Sequence, residues 1–276
     1  LEFSPGGKGG NQALAASRAG ADVKMVGCVG GDDFATRALA LLSEAEIDLS
    51  GVRRMDRHTG TALIIVDDAG ENMITVLPGA NSRLTAAALE QAGIAEGDYL
   101  LLQLETPIEG VLAAAALAQE NGATVVLNLA PFMDFDLALL KNVDVLVVNE
   151  TELAGVLEML DAPKLDEADA VSWLSDKFGN TVVATLGSRG AISVAAGSMT
   201  TVPSLKIKPV DTVGAGDTFV GYLSAGLAEG MTLSSAMERA SVAAGLACLT
   251  PGAQPSIPER AAVEDRLALG VASEAQ

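Results

Sequence analysis

The sequence predicts an α/β fold, a doubly wound and mostly parallel sheet flanked by helices, and three observations lead there. Short β-rich apolar runs alternate with helical patterns along most of the chain. Hydrophobic residues make up 49% of the 276 positions and aromatics only 3%, so the apolar content is mostly Ala, Val and Leu, which suits helices packed closely on a sheet. No repeat, low-complexity tract or linker divides the chain, so residues 1–276 are expected to form a single domain with a sizeable core.

The elements follow in order. A glycine-rich loop at residues 6–12 leads into a helix over 13–18. A strand is expected at 23–29 and a helix at 34–45; the charged stretch 53–59, with His58, reads as a solvated turn. Residues 61–77 break the alternation. Two β-rich runs flank the polar stretch Asp67-Asp68-Ala69-Gly70-Glu71-Asn72, the pattern of a hairpin that is either an edge of the sheet or a small β lid. Strand and helix then alternate again: strand 99–104, helix 108–121, strands 124–129 and 143–148, helix 150–160, strand 181–186. Two Ala-rich helices, 215–229 and 233–249, carry apolar residues on more than one side and are expected to lie buried on the sheet.

Composition excludes several functions. With 17 Lys+Arg against 36 Asp+Glu the formal charge is -19, which repels nucleic acid and anionic membrane surfaces. A phosphorylated ligand would need local attraction from backbone N–H groups, a divalent cation and a few basic residues. A single histidine, His58, removes Ser-His-Asp and H-E-x-x-H chemistry. Cys28 and Cys248 lack C-x-x-C partners and read as buried thiols. No window is long and apolar enough to span a membrane and no signal peptide precedes the first motif, so a cytoplasmic protein is expected.

Two glycine loops carry the chemistry. Gly6-Gly7-Lys8-Gly9-Gly10-Asn11-Gln12 lets a polar ligand approach a helix start, and it is neither a Walker A loop nor a G-x-G-x-x-G fingerprint after a strand. That missing fingerprint argues against an NAD-dependent oxidoreductase. The second loop, Asp211-Thr212-Val213-Gly214-Ala215-Gly216-Asp217, runs directly into a helix, so successive N–H groups and the helix dipole favour an anion. Asp217 reads either as an N-terminal cap or as a general base beside an anion hole made by Gly214, Ala215 and Gly216.

Several ordered motifs together resemble the ribokinase family of PfkB-type carbohydrate kinases over nearly the whole chain. They are Gly6 to Ala13 and Asp211 to Phe219, with Gln103-Leu104-Glu105-Thr106-Pro107, Asn149-Glu150-Thr151-Glu152 and Thr185-Leu186-Gly187-Ser188-Arg189-Gly190 between, and Gly252-Ala253-Gln254-Pro255-Ser256 after them. The resemblance implies a ribokinase-like fold and ATP-dependent phosphorylation of D-ribose at its 5-hydroxyl. Kinases of fructose, deoxyribose or ketodeoxygluconate in the same family are the alternatives.

By the same resemblance Gly6, Gly7, Lys8, Gly9, Asn11 and Glu105 would hold the sugar together with Asp217, the base. Asn149, Thr185, Leu186, Gly187, Ser188, Arg189, Gly190, Gly216 and Ser241 would bind the nucleotide, and Glu152 would meet magnesium. Asp211, Val213, Ala247, Thr250, Gly252 and Ser256 would surround an activating monovalent cation, potassium. Relatives also imply a homodimer paired through the hairpin. Family members open with a strand carrying an Asn-x-Asp sugar-binding element, whereas this chain opens at Leu1 just ahead of the glycine motif. A first strand is therefore expected to be missing from the chain, which leaves a non-catalytic sugar- or nucleotide-binding protein as a further reading.

Overall fold

The computed structural model describes residues 3–66 and 72–269. The chain opens with α1 (Lys8–Arg18), β1 (Lys24–Gly30), α2 (Asp33–Glu44), β2 (Asp48–Met55) and the hairpin β3 (Thr61–Val66) and β4 (Asn72–Leu77). A short α3 (Ala86–Glu90) precedes β5 (Tyr99–Leu102), α4 (Ile108–Glu120), β6 (Thr124–Asn128), β7 (Val145–Asn149) and α5 (Glu150–Met159). Then come α6 (Glu167–Phe178), β8 (Thr181–Thr185), β9 (Ala191–Ala195) and β10 (Ser198–Val202), and the chain closes through α7 (Ala215–Ala228), α8 (Leu233–Ala247) and α9 (Arg260–Ala268).

The main sheet has the order β10-β9-β8-β7-β6-β5. Strands β5 to β8 run parallel, and β9 and β10 return antiparallel at one edge. The connections explain the switch. Parallel neighbours need a long crossover, whereas β9 and β10 are joined by Ala196 and Gly197, both at positive φ, a two-residue turn that only an antiparallel pair can use. Strands β1 and β2 pair in parallel as a separate ribbon, so residues 53–55 are strand and not turn. The consecutive pair Arg53-Arg54 breaks the apolar–polar alternation there, which hid the strand among charges. His58, beyond its end, is exposed as expected.

Strands β3 and β4 pair antiparallel, Thr61 opposite Leu77, and are hydrogen-bonded to neither other sheet. The hairpin is thus not an edge of the main sheet. The predicted turn at 67–71 lies outside the described residues, and Asn72 belongs to β4.

Alternate strand residues face opposite layers. Leu127, Leu146, Val148 and Val182 pack under α4, α5 and α6, while Val126, Val145, Val147 and Val183 pack against α1, α7 and α8. Each such fully buried Leu or Val contributes about 1.5–3 kcal/mol. Helices α7 and α8 are buried along most of their length, as their apolar content on several sides requires. Helix α1 crosses α7 at Gly221, where an added Cβ would lie 2.5 Å from the Ala15 Cβ and 2.6 Å from the Gln12 carbonyl oxygen. This close crossing sets the two helix starts side by side.

Helix α1 begins at Lys8, five residues before the predicted start. Gly9 and Gly10 weaken an isolated helix, but here close neighbours leave little room for a side chain. A Cβ on Gly9 would sit 3.2 Å from the Gln103 Oε1, and one on Gly10 would sit 3.0 Å from the Gln254 Nε2. The edges of β1 and β5 that are not paired within their own sheets, together with α1 and the base of the hairpin, border a cavity of about 1810 Å³.

Candidate active site

Two helix N-termini meet near the C-terminal ends of the parallel strands, where open α/β sheets bind ligands. Helix α1 opens on Gly7 at φ 90° and α7 on Gly214 at φ 79°, and neither has a side-chain cap. The first N–H groups of a helix have no acceptor within it. The Lys8 N–H is taken by Glu105 at 2.8 Å and the Ala215 N–H by the Thr212 carbonyl at 3.3 Å, so Gly9 and Gly10 in α1 and Gly216 and Asp217 in α7 hold the remaining first-turn donors, at the positive end of each helix dipole. An L side chain on Gly214 would be strained at that φ, and its Cβ would lie 3.0 Å from the Ala253 Cα.

Asp217, in the first turn of α7, is 6% exposed. It does not cap its own helix. Its Oδ2 accepts from the Asn11 Nδ2 at 2.8 Å and its Oδ1 from the Gln12 Nε2 at 3.0 Å. Burial pushes the carboxyl up from the ordinary aspartate value, and the Lys8 charge and the two amides pull part of that back. A carboxylate so placed keeps its oxygens off its own helix and held toward α1, where it can accept a proton from a group that approaches it.

Glu105 follows β5, and its Oε2 accepts from the Lys8 N–H at 2.8 Å. Burial raises its carboxyl, the bond and charge of Lys8 oppose this, and the negative Asp217 adds to it. Glu152 is likewise raised by burial and feels both Lys8 and Asp217. It forms a reciprocal capping box with Asn149 at the start of α5, each side chain 2.8 Å from the other's N–H. Lys8 thus faces the field of three buried or half-buried carboxylates.

Asp211 ties two loops together, accepting from the Val213 N–H at 3.0 Å and from the Gly252 N–H at 2.8 Å. The Thr250 N–H bonds the Ala247 carbonyl at 3.3 Å, and the buried Ser256 hydroxyl donates to the Ala253 carbonyl at 2.8 Å. The six residues expected around a monovalent cation therefore bracket one pair of loops beside Gly214. Among the described residues no cluster of three His, Cys, Asp or Glu forms a ready metal site.

The expected nucleotide segment sits one strand over. Thr185, at the end of β8, is in register with Asn149 at the end of β7. The turn after it closes through a bond from the Leu186 N–H to the Gly190 carbonyl at 2.7 Å. Gly190 is at φ 91° with the Val202 carbonyl pressed against it, a place only glycine fits. The Ser188 carbonyl accepts from Ser204, and Gly187 begins the 3₁₀ turn. Arg189 is half-exposed and already paired with Glu150 at 2.7 Å and Glu167 at 2.9 Å. Ser241 donates to the Pro203 carbonyl at 2.7 Å. Neither side chain contacts the Asp217 cluster.

Three amides at the site escaped the sequence reading: Gln12, Gln103 and Asn128. Gln12 lies within the first glycine motif, and Asn128 is a polar residue ending an otherwise apolar strand, the one signal that marked it.

A family model described as "pfkB family carbohydrate kinase" matches residues 1–260. The chain is 37% identical over 262 residues to a ribokinase of Haemophilus influenzae, covering 94% of this chain and 86% of that one. It is 32% identical over 261 residues to a deoxyribokinase of Salmonella typhi, covering 92% and 84%. A crystal structure of ribokinase from Thermotoga maritima superposes with a TM-score of 0.88 at 31% identity, covering 95% and 87%. The Arabidopsis thaliana ribokinase complexed with ribose and ATP superposes with a TM-score of 0.84 at 29% identity, covering 95% and 87%. The fold is thus ribokinase-like, and the chain belongs to the pfkB family of carbohydrate kinases.

Proposed function

We propose that this chain transfers the γ-phosphoryl group of ATP to the 5-hydroxyl of D-ribose, giving D-ribose 5-phosphate and ADP. The observation that carries this reading is Asp217, a buried carboxylate held by two α1 amides at the bare N-terminus of α7. Asp217 takes the hydroxyl proton as the sugar oxygen attacks phosphorus, and the bridging oxygen leaves with ADP. The N–H groups of Gly214, Ala215 and Gly216 meet the charge that spreads over the transferring oxygens. Gly6, Gly7, Lys8, Gly9, Asn11 and Glu105 hold the sugar, and alignment of hydroxyl, base and phosphorus supplies much of the rate.

Electrostatics supports a cation-bearing nucleotide. Asp217, Glu105 and Glu152 share one nearby lysine, so a bare triphosphate would be repelled. Magnesium carried with ATP would neutralise that charge, and the buried Glu152, with one oxygen on the Asn149 N–H, would meet it. The carbonyl- and carboxylate-rich loops around Asp211, Val213, Ala247, Thr250, Gly252 and Ser256 suit a potassium ion beside the anion hole. Asn149, Ser241 and the segment from Thr185 through Leu186, Gly187, Ser188 and Arg189 to Gly190 would frame the nucleotide. Exposed Leu63, Val76 and Leu77 on the hairpin support a homodimer paired there.

The ribose assignment rests on the two glycine-containing motifs and on the ribokinase relatives. A second reading, phosphorylation of deoxyribose, is favoured by the similarity to a deoxyribokinase. A sugar panel with ADP detection separates them: ribose should give the highest kcat/KM, and preference for deoxyribose, fructose or ketodeoxygluconate would overturn the assignment. Thermal shifts with sugar and ATP but no ADP would instead identify a binding protein.

A further inference from the structure

We propose that Gln12, oriented by Asn128 and Gln103, is the positioning residue that sets the proton affinity of Asp217. This rests on the reading of Asp217 as the base. The amide chain starts at a backbone carbonyl, which can only accept. The Val147 oxygen in β7 receives the Asn128 Nδ2 at 3.3 Å, so the Asn128 amide must turn its Oδ1 the other way. That Oδ1 accepts from the Gln12 Nε2 at 3.0 Å. The second hydrogen of the same Gln12 nitrogen reaches the Asp217 Oδ1 at 3.0 Å. At the far end the Gln12 Oε1 accepts from the Gln103 Nε2 at 2.5 Å.

Asn128 and Gln12 each have one allowed direction, and Gln103 follows Gln12. Reversing Gln12 would set its oxygen against the Asn128 oxygen and the Asp217 carboxylate at once. It would also face its nitrogen with the Gln103 donor. Gln12 is 1% exposed and Asn128 8% exposed, so water is not available to repair either mismatch. The sheet thus imposes an N–H, and not an oxygen, on Asp217 Oδ1. A donated hydrogen bond favours the ionised carboxylate, so the chain opposes the rise that burial alone would cause. Asn11 supplies the matching donor on the other oxygen. In this role Gln12 acts through Asp217.

The test is a titration of Asp217 followed directly, by carbon-13 NMR of protein labelled at aspartate carboxyls, with the signal assigned by its loss in Asp217→Asn. Gln12→Met keeps the volume and removes the amide. The expected result is a midpoint raised by about one pH unit, with the acid limb of the kcat profile moving up in step and the sugar KM changing far less than kcat. Gln103→Met, at the less buried end of the chain, should move the midpoint the same way by a smaller amount, and it carries the test if Gln12→Met does not fold. Lower melting temperature and lower kcat with an unmoved midpoint would overturn the proposal and leave Gln12 a packing residue. A shifted midpoint in a protein that forms no sugar phosphate would sink the kinase reading and leave the amide chain standing.

Discussion

Helices α2, α5, α6 and α8 each open on a polar side chain that caps the first turn: Asp32, Asn149, Asp166 and Thr232. Helices α4 and α9 open on Pro107 and Glu259 without a cap bond, and α1 and α7 open, also uncapped, on glycines at positive φ. A side-chain cap stabilises a helix by about 1 kcal/mol because it satisfies an orphan N–H from within. The two glycine starts forgo that gain, and they are the two that converge on Asp217. Their donors are left for something outside the helix, such as Glu105, which accepts from Lys8. The contrast teaches that stability has been given up locally where binding requires bare N–H groups, and secured by the tight α1–α7 crossing at Gly221.

The largest expected effect tests the acid end of this arrangement. Asp217→Asn should lower kcat by about 10²–10⁴-fold, the usual contribution of a positioned base, while sugar binding measured by calorimetry stays near that of the parent protein. Retained turnover would mean that α7 is bare for some reason other than phosphoryl transfer. The raised carboxyl also sets a pH dependence. Because Asp217 lies above its ordinary value of 3.8, kcat should fall on acidification at a pH above that value, as the base is protonated. The folding linkage has the matching sign. Where the native carboxyl holds its proton more tightly than the unfolded one, stability declines as pH rises through the native midpoint, so this one residue opposes folding at neutral pH.

Next in size is Gly214→Ala. A left-handed alanine costs about 1–2 kcal/mol, and the Cβ meets Ala253. If the glycine serves the anion hole, kcat should drop by about 10²-fold or more, well beyond what the stability loss explains. A loss of melting temperature with unchanged kcat would break the comparison between capped and bare helices. Gly221→Ala probes the compensation instead. Overpacking a tight crossing costs about 1–3 kcal/mol, so the midpoint of urea unfolding should fall, with kcat lowered through the displaced α1 donors.

How much of this was legible before the fold was known depended on the range of the interactions involved. The parallel core β5 to β8, α4, α5 and the two buried helices were readable because each carries its own local periodicity. The start of α1 was not, since Gly9 and Gly10 look like loop residues until Gln103 and Gln254 are seen pressing on them. The antiparallel edge β9–β10 was missed because its turn, Ala196-Gly197, is short, β9 spans only five residues and β10 is mostly polar. At the site, Asp217, Glu105 and Lys8 stood in recognisable motifs. Gln12 and Gln103 stood in motifs too, but the chain they form with Asn128 was hidden, as Gln12 and Asn128 are 116 positions apart and meet only through the crossing of α1 over the sheet. The sequence also offered Asp217 as a cap, and only its hydrogen bonds to Asn11 and Gln12 decide otherwise.

The smallest expected effect falls on α5, which stands between the two kinds of helix. It has a full capping box, yet Asn149 and Glu152 are also the residues the family resemblance places near phosphates and magnesium. Asn149→Ala removes one half of the box and should cost about 1 kcal/mol in urea unfolding if capping is its whole task. If Asn149 also meets the nucleotide, saturating ATP and magnesium should stabilise the variant less than the parent protein, because the ligand loses a contact present only in the folded state. The comparison of unfolding midpoints with and without nucleotide therefore separates the two roles in one protein. An equal shift in both would place α5 wholly with the capped, structural helices, and a reduced shift would place it with α1 and α7.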